Sequence, residues 1–542
     1  MLFNSVEFLI FLTIVYGLYR VLPFRAQNHM MLFASYLFYG WWDWRFLFLM
    51  ILSTTTDFWT GLVLDRGRIG VRAALVPALF VAVSGFLLLG LDFSALLRMA
   101  AGAPAPPTLA TPWMPTILYG LPLLMLLGIA VYSMLVRLPD GSRRKACVAV
   151  SCIVQLGILA TFKYYNFFAD SLIEGLQSLG YATAPRHIDV LLPIGISFYT
   201  FQSLSYAIDI YRREIKPTDK YFDYALFVAY FPQLVAGPIN RAKHLIPQLL
   251  RPRQLTLEQT TRGLFLIVLG LFKKVAIADG VAGFVDQIFG SSGALSWADV
   301  FLGVIFFAIQ IYCDFSGYSD IARGVSKLFG VELMVNFNQP YFAKNPRDFW
   351  QRWHISLSTW LSDYLYKPLG GSRGGLAFTC RNLMLTMLLG GLWHGAAWNY
   401  VLWGFYHGAI LSTHRILIAL RPPRERLAGP ALEIAKIAGF GILTLYGWLL
   451  FRARSFDQIA DLTRILATGL GDFSIGPSLP SLAPLLGILV LAGFEISQYL
   501  AGRMTFYQRW PIPALGLVIA AMVFITVMGM SNEPAQFIYF QF

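Results

Sequence analysis

Two of the seven histidines stand where an imidazole could do chemistry. His394 lies in Gly390-Gly391-Leu392-Trp393-His394-Gly395-Ala396, directly after the apolar run Leu383–Leu389. A neutral imidazole accepts a proton near neutral pH, as general-base catalysis requires. Gly390, Gly391 and Gly395 let a substrate or a second helix approach the backbone closely. The plainer alternative is a packed histidine hydrogen-bonded across a helix interface, and the residue types alone leave both open. His354 lies in Phe349-Trp350-Gln351-Arg352-Trp353-His354-Ile355-Ser356-Leu357-Ser358-Thr359-Trp360. Helical spacing puts Phe349, Trp353, Leu357 and Trp360 on one apolar stripe, with His354, Ser358 and Leu361 on an adjoining one. Such a stripe marks a helix lying at a membrane interface or dipping into it. Trp353 and Trp360 read as interfacial anchors before they read as a substrate platform. Arg347, Arg352 and Lys367 flank the stripe and could meet phosphates.

Other templates fit less well. The chain contains no HExxH and its histidines are scattered, so no metal site is inferred. Cys147, Cys152, Cys313 and Cys380 sit in or beside apolar segments without a CxxC pair, and read as small buried hydrophobes. Gly370-Gly371-Ser372-Arg373-Gly374 satisfies G-x-S-x-G formally, but that motif needs a strand-to-helix elbow, which this helical chain does not offer. Gly370–Gly375 reads as a flexible turn. Asp314, Ser316, Tyr318 and Asp320 could form a buried polar network, structural or catalytic.

The elements that must position these groups are membrane helices. Of 542 residues, 57% are hydrophobic and only 13% charged. Soluble domains carry roughly a quarter charged residues, so this chain has too little polar surface for water. A span needs about 20 mostly apolar residues, and runs such as Ala74–Leu91, Ile117–Leu135 and Ile434–Leu450 predict about 11 to 14 spans. The fold class expected is all-α: a polytopic helical membrane protein with re-entrant or interfacial helices and a central tunnel. The first apolar segment lacks a basic region before it and is expected to be the first anchor rather than a cleaved signal.

The net charge of +13 is spread over loops. Arg66, Arg68 and Arg72, then only Arg98, then Arg137, Arg143, Arg144 and Lys145 give the in–out–in alternation of cytoplasmic basic loops. That argues against nucleic acid as a partner, and a basic cytoplasmic face suits an anionic donor. Three parts are expected: N-terminal helices over 1–168, a core over 169–420, and C-terminal helices over 421–542 after the charged linker Arg421–Arg426. The Ala- and Pro-rich segment Ala101–Pro115 reads as an external loop. The core holds most of the polar residues found within apolar sequence: Gln202 to Asp209, Cys313 to Asp320, and Asn336 to Gly375. Intramembrane polar groups are costly and face cavities or pathways, and Pro193, Pro232, Pro238, Pro340, Pro346 and Pro368 break the backbone there.

At these residues the chain resembles the membrane-bound O-acyltransferase family. The likeness is carried by Trp353-His354-Ile355-Ser356-Leu357-Ser358, Asp363-Tyr364-Leu365-Tyr366, Leu369-Gly370-Gly371 and Gly391-Leu392-Trp393-His394-Gly395. Ser35–Tyr39, Pro193–Tyr199, Ala236-Gly237-Pro238, Asp314–Asp320 and the terminal Phe537–Phe542 extend it toward bacterial alginate O-acetyltransferase membrane subunits. One stretch, 73–144, looks longer than its counterpart there, by about two spans.

The resemblance implies an intramembrane tunnel entered from the cytoplasm by an acyl donor, acetyl-CoA, with no tightly bound cofactor. His394 would be the general base on the acceptor hydroxyl, or assist onward transfer to a partner protein. His354 would be the second histidine, orienting the donor or polarising its thioester carbonyl. Trp353, Arg352, Ser358, Asp363, Tyr364, Lys367, Trp393 and Asp314 would contact substrate. The expected setting is the inner membrane, with membrane lipids around the chain and a periplasmic acetyltransferase partner delivering acetyl groups to a polysaccharide such as alginate. The same fold could instead serve peptidoglycan, a lipid or a D-alanylated polymer. A reading of another class is a transporter, but transporters show paired broken helices in two halves, whereas here the polar, broken region is single.

Overall fold

A computed structural model describes the chain except for residues 105–108, 182–183, 185–186, 189–190, 235–236, 292, 421–428, 531–536 and 539–542. The expected linker Arg421–Arg426, part of the loop after Ala101, Ala236 and the terminal Tyr539–Phe542 therefore lie outside the described residues. Among the described residues β structure is limited to one isolated bridge, Leu91 to Ala110. Among the described residues, eight helices are long and apolar enough to cross a membrane. Val6–Val21, Phe24–Asp43, Trp398–Leu420 and Ile512–Met528 are further helices that are shorter or more polar.

The chain divides into two compact units. The first holds Met1–Val235, Ile239–Gln254 and Phe329–Val331. Its inner helix is α1 (Arg45–Arg66), which packs on α2 (Asp140–Leu159) and α3 (Ile196–Tyr211). Polar residues hold these helices together: the Asp57 carboxylate accepts from Ser151 Oγ at 2.5 Å and Gln155 Nε2 at 2.6 Å. Asp57, Ser151 and Gln155 are fully buried, so each must find its partner inside the protein. Arg144 donates to the carbonyls of Leu64 at 3.0 Å and Tyr211 at 2.7 Å, placing a cation at two helix C-termini. Val71–Gly90, which begins just before the 73–144 stretch, and Met114–Arg137 within it leave most of their apolar surface uncovered, as lipid-facing helices do. Pro77 and Pro122 lie inside them.

The second unit comprises Ala236–Pro238, Leu255–Leu328 and Glu332–Phe542. It is organised by α4 (Leu257–Leu271) against α5 (Trp297–Leu328). At 1.5 Å per residue, α5 is about 48 Å long. Gly263 and Gly270 meet Gly324 and Gly317, and a Cβ on Gly270 would lie 2.5 Å from the Gly317 carbonyl. The two helices thus touch backbone to backbone, as small residues allow in membranes. Beyond α4 the chain takes a π-helical course over Phe272–Ala278, which carries Lys273 and Lys274.

After α5 the chain is broken into α6 (Pro346–Trp350) and α7 (Ile355–Leu361). It then forms a hairpin of α8 (Gly375–His394) and α9 (Trp398–Leu420), followed by α10 (Pro430–Arg452) and α11 (Leu482–Ala501). One expectation is corrected here: Phe349–Trp360 is not one continuous helix. It stops at Trp350 and restarts at Ile355, because His354 adopts φ 42°, ψ 55°. A left-handed residue cannot propagate a right-handed helix. The turn expected at Gly370–Gly375 is present, with φ of 108° at Gly370, 56° at Gly371 and 86° at Gly375, values that L side chains rarely adopt.

Candidate active site

His394 is the last residue of α8 and is 3% exposed. Its ring meets Trp393 and Trp403 edge-on, each at 5.1 Å between centroids, and Phe451 at 5.5 Å. The neighbouring glycines admit a helix at this point. Gly391 faces the Tyr400 carbonyl and Gly404 faces that of Met387, leaving no room for a Cβ on either. Gly395 is equally tight against the Tyr400 ring. The α8–α9 hairpin therefore closes directly beneath His394 and fixes where its ring stands.

His354 is fully buried at the start of α7. Its Nδ1 lies 3.1 Å from Asn336 Oδ1, which also accepts from the Ser356 hydroxyl at 2.8 Å. The Phe315 ring stands edge-on at 4.6 Å, and Phe337 lies at 6.5 Å. His354 lies outside the eight candidate spans, and burial pushes its imidazole down to about 3. It is neutral at physiological pH.

The indole of Trp393 connects the two histidines, 6.0 Å from the His354 ring and 5.1 Å from the His394 ring. Tertiary structure thus brings together imidazoles separated by 40 positions in the chain. Around them is an aromatic shell. Trp353 is 1% exposed and packs on Trp448 at 4.7 Å, Phe337 at 5.0 Å and Phe349 at 5.8 Å. It is a core residue, neither an interfacial anchor nor an exposed platform.

The other sequence candidates fall into two groups. Arg352, expected to meet phosphate, instead binds Asp348 at 2.7 Å and the Asn338 carbonyl at 3.2 Å. Lys367 is exposed and pairs with Asp363 one turn before it. Ser358 Oγ donates to the Trp353 carbonyl at 3.1 Å, and the Tyr364 ring packs on Trp360 at 5.1 Å. Asp314 belongs to the polar network: Lys274 Nζ lies 2.8 Å away and the Ile538 N–H donates to it at 2.6 Å. Its chain neighbour Phe315 is the ring that stands against His354.

Sequence reasoning gave no role to Asn336 or His407. His407 on α9 is buried between Trp403 at 4.6 Å, Trp350 at 5.2 Å and Phe349 at 6.0 Å. Its spacing from Trp403, one helical turn, was the available signal. Asn336 opens the polar stretch noted in the sequence, but nothing local marks its partner 18 residues on.

Two buried histidines share one indole, the first of them at a break between two short helices. The chain belongs to the membrane-bound O-acyltransferase family: it is a multi-pass membrane protein and an O-acyltransferase. Residues 213–428, which include both histidines and Asn336, match the family directly. The chain is 35% identical to the probable alginate O-acetylase AlgI of Azotobacter vinelandii over the whole of both chains. It is 37% identical to the probable alginate O-acetylase AlgI of Pseudomonas aeruginosa, covering 92% of this chain and 82% of that one. The peptidoglycan O-acetyltransferase of Helicobacter pylori is 34% identical over 62% of this chain and 68% of its own length.

Proposed function

We propose that this protein moves an acetyl group from cytoplasmic acetyl-CoA across the inner membrane for O-acetylation of an extracytoplasmic polysaccharide, alginate or a related exopolymer. The observation that carries the reading is the pair His354 and His394 on the Trp393 indole, in a chain alike over its full length to an alginate O-acetylase. In the first transfer a hydroxyl of the periplasmic partner attacks the thioester carbonyl, the C–S bond breaks, and CoA leaves as the thiol with the proton that hydroxyl gave up. His394 takes the hydroxyl proton as general base, worth typically 10²–10⁴-fold, and His354 is the second imidazole at the reacting atoms. A periplasmic acetyltransferase partner completes transfer to the polymer. The relative in Helicobacter pylori supports a second acceptor, peptidoglycan.

The test is His394→Ala beside wild type in the native host, at matched membrane levels, with O-acetyl groups measured on extracellular and wall polymers. Loss of acetyl from one polymer names the acceptor. Retention on every polymer overturns the glycan reading.

A further inference from the structure

Asn336 holds the turn at His354 with both its backbone and its side chain. Its carbonyl accepts from the Ile355 N–H at 2.9 Å. Its side-chain oxygen accepts from the Ser356 N–H at 3.2 Å, and its amide nitrogen donates to the Ser319 hydroxyl at 3.2 Å. A backbone N–H can only donate, so the atom facing Ser356 N is the amide oxygen, and the orientation of the amide is fixed. That oxygen is the one 3.1 Å from His354 Nδ1. An amide oxygen only accepts, which requires the imidazole proton to sit on Nδ1. A neutral imidazole carries one N–H, so its lone pair is then on Nε2.

We infer that Asn336 is a positioning residue that fixes His354 in the Nδ1–H tautomer, so that His354 meets the reacting groups as a hydrogen-bond acceptor through Nε2. This rests on the reading of His354 as a member of the reacting pair. It excludes the imidazole as a donor to the acyl carbonyl and leaves the attacking hydroxyl's proton to His394, with Nε2 of His354 accepting from another N–H or O–H of the bound substrates.

Two features fit this role. The left-handed backbone of His354 costs energy in a non-glycine residue and persists only where neighbours hold it. Asn336 does so from a buried position, 1% exposed. The second feature is charge. Charged or titratable groups on the elements packed around the ring include Tyr312, Cys313, Asp314, Tyr318, Asp320 and Arg323 on α5, His394 on α8, and Asp348 and Arg352 between α6 and α7. Asp314 is paired with Lys274 at 2.8 Å, Asp320 with Lys273 at 2.9 Å, and Asp348 with Arg352 at 2.7 Å. The group on Nδ1 is thus an uncharged oxygen. A carboxylate there would both orient the ring and stabilise the imidazolium; an amide orients it and leaves it neutral.

The experiment is magic-angle-spinning ¹⁵N NMR of the full chain in membranes with ¹⁵N-labelled histidine, His354 being assigned by difference from His354→Ala. Wild type should show a neutral ring with a protonated Nδ1 and a bare Nε2. Asn336→Asp should keep that tautomer but become an imidazolium at a pH well above wild type, because the carboxylate favours the charged form. In the native host, polymer O-acetylation should fall about a hundredfold in Asn336→Ala, the scale of loss from a misplaced group at a reacting centre, and be largely rescued in Asn336→Asp at alkaline pH. A protonated Nε2 in wild type overturns the inference. So do equal losses in the Ala and Asp variants with no change in His354 titration, since a merely structural Asn336 would give that result. Full acetylation in His354→Ala instead overturns the underlying reading while leaving the tautomer measurement intact.

Discussion

Gly391 of α8 lies against the Tyr400 carbonyl of α9 so closely that a Cβ has no space between them. Because His394 is three residues further along α8, this contact sets the depth at which its imidazole stands against Trp403. Gly391→Ala must push the two helices apart, and overpacking of this kind costs about 1–3 kcal/mol. The expected result is a lower melting temperature in detergent and reduced acetyltransfer at equal membrane levels. Wild-type melting and activity would show that the hairpin can slide without disturbing the site.

Lys274 lies 2.7 Å from Asp279 and 2.8 Å from Asp314, with its side chain only 2% exposed. Removing one partner of a buried pair leaves uncompensated charge and typically costs about 3–5 kcal/mol. Lys274→Met is therefore expected to abolish folded protein in the membrane, measured by monodispersity on size-exclusion chromatography. Adding Asp279→Asn and Asp314→Asn removes the stranded charges and should restore most of the yield. If the triple variant is as poor as the single, the lysine holds the fold by something other than charge compensation.

His354 supplies a pH dependence whose sign follows from its burial. Folding lowers its imidazole from the ordinary 6.5 to about 3. Between those values the unfolded chain binds a proton that the folded one does not, so stability is full above about 6.5 and falls as pH decreases. The slope for one such group is about 1.4 kcal/mol per pH unit. Melting in detergent at pH 7.5, 6.5 and 5.5 should show a drop that is larger in the lower interval, and His354→Gln should melt with a smaller drop. Equal acid sensitivity in the two proteins would assign the effect to other groups.

The sequence by itself determined the class of fold and the two histidines. Scarcity of charge and runs of apolar residues are properties of composition, and they suffice because a bilayer accepts only segments that satisfy their own backbone. His354 and His394 were legible because the first stands in a motif dense in aromatic residues and the second in one dense in glycine. The glycines of α8 were legible as sites of close approach, though not as contacts with Tyr400 in particular.

Only the tertiary structure decided the rest. Helical periodicity describes one face of one helix, so it carried Phe349 through Trp360 as a single stripe and missed the left-handed turn at His354 that Asn336 holds. A flanking cation looks free in a string of letters, and only the fold shows Arg352 paired with Asp348 one turn back. The conversion of Trp353 from surface anchor to core residue depends on Trp448, 95 positions away. Buried polar and aromatic groups are satisfied by whatever the fold brings within hydrogen-bonding or packing distance, and that distance is set by chain closure rather than by sequence separation.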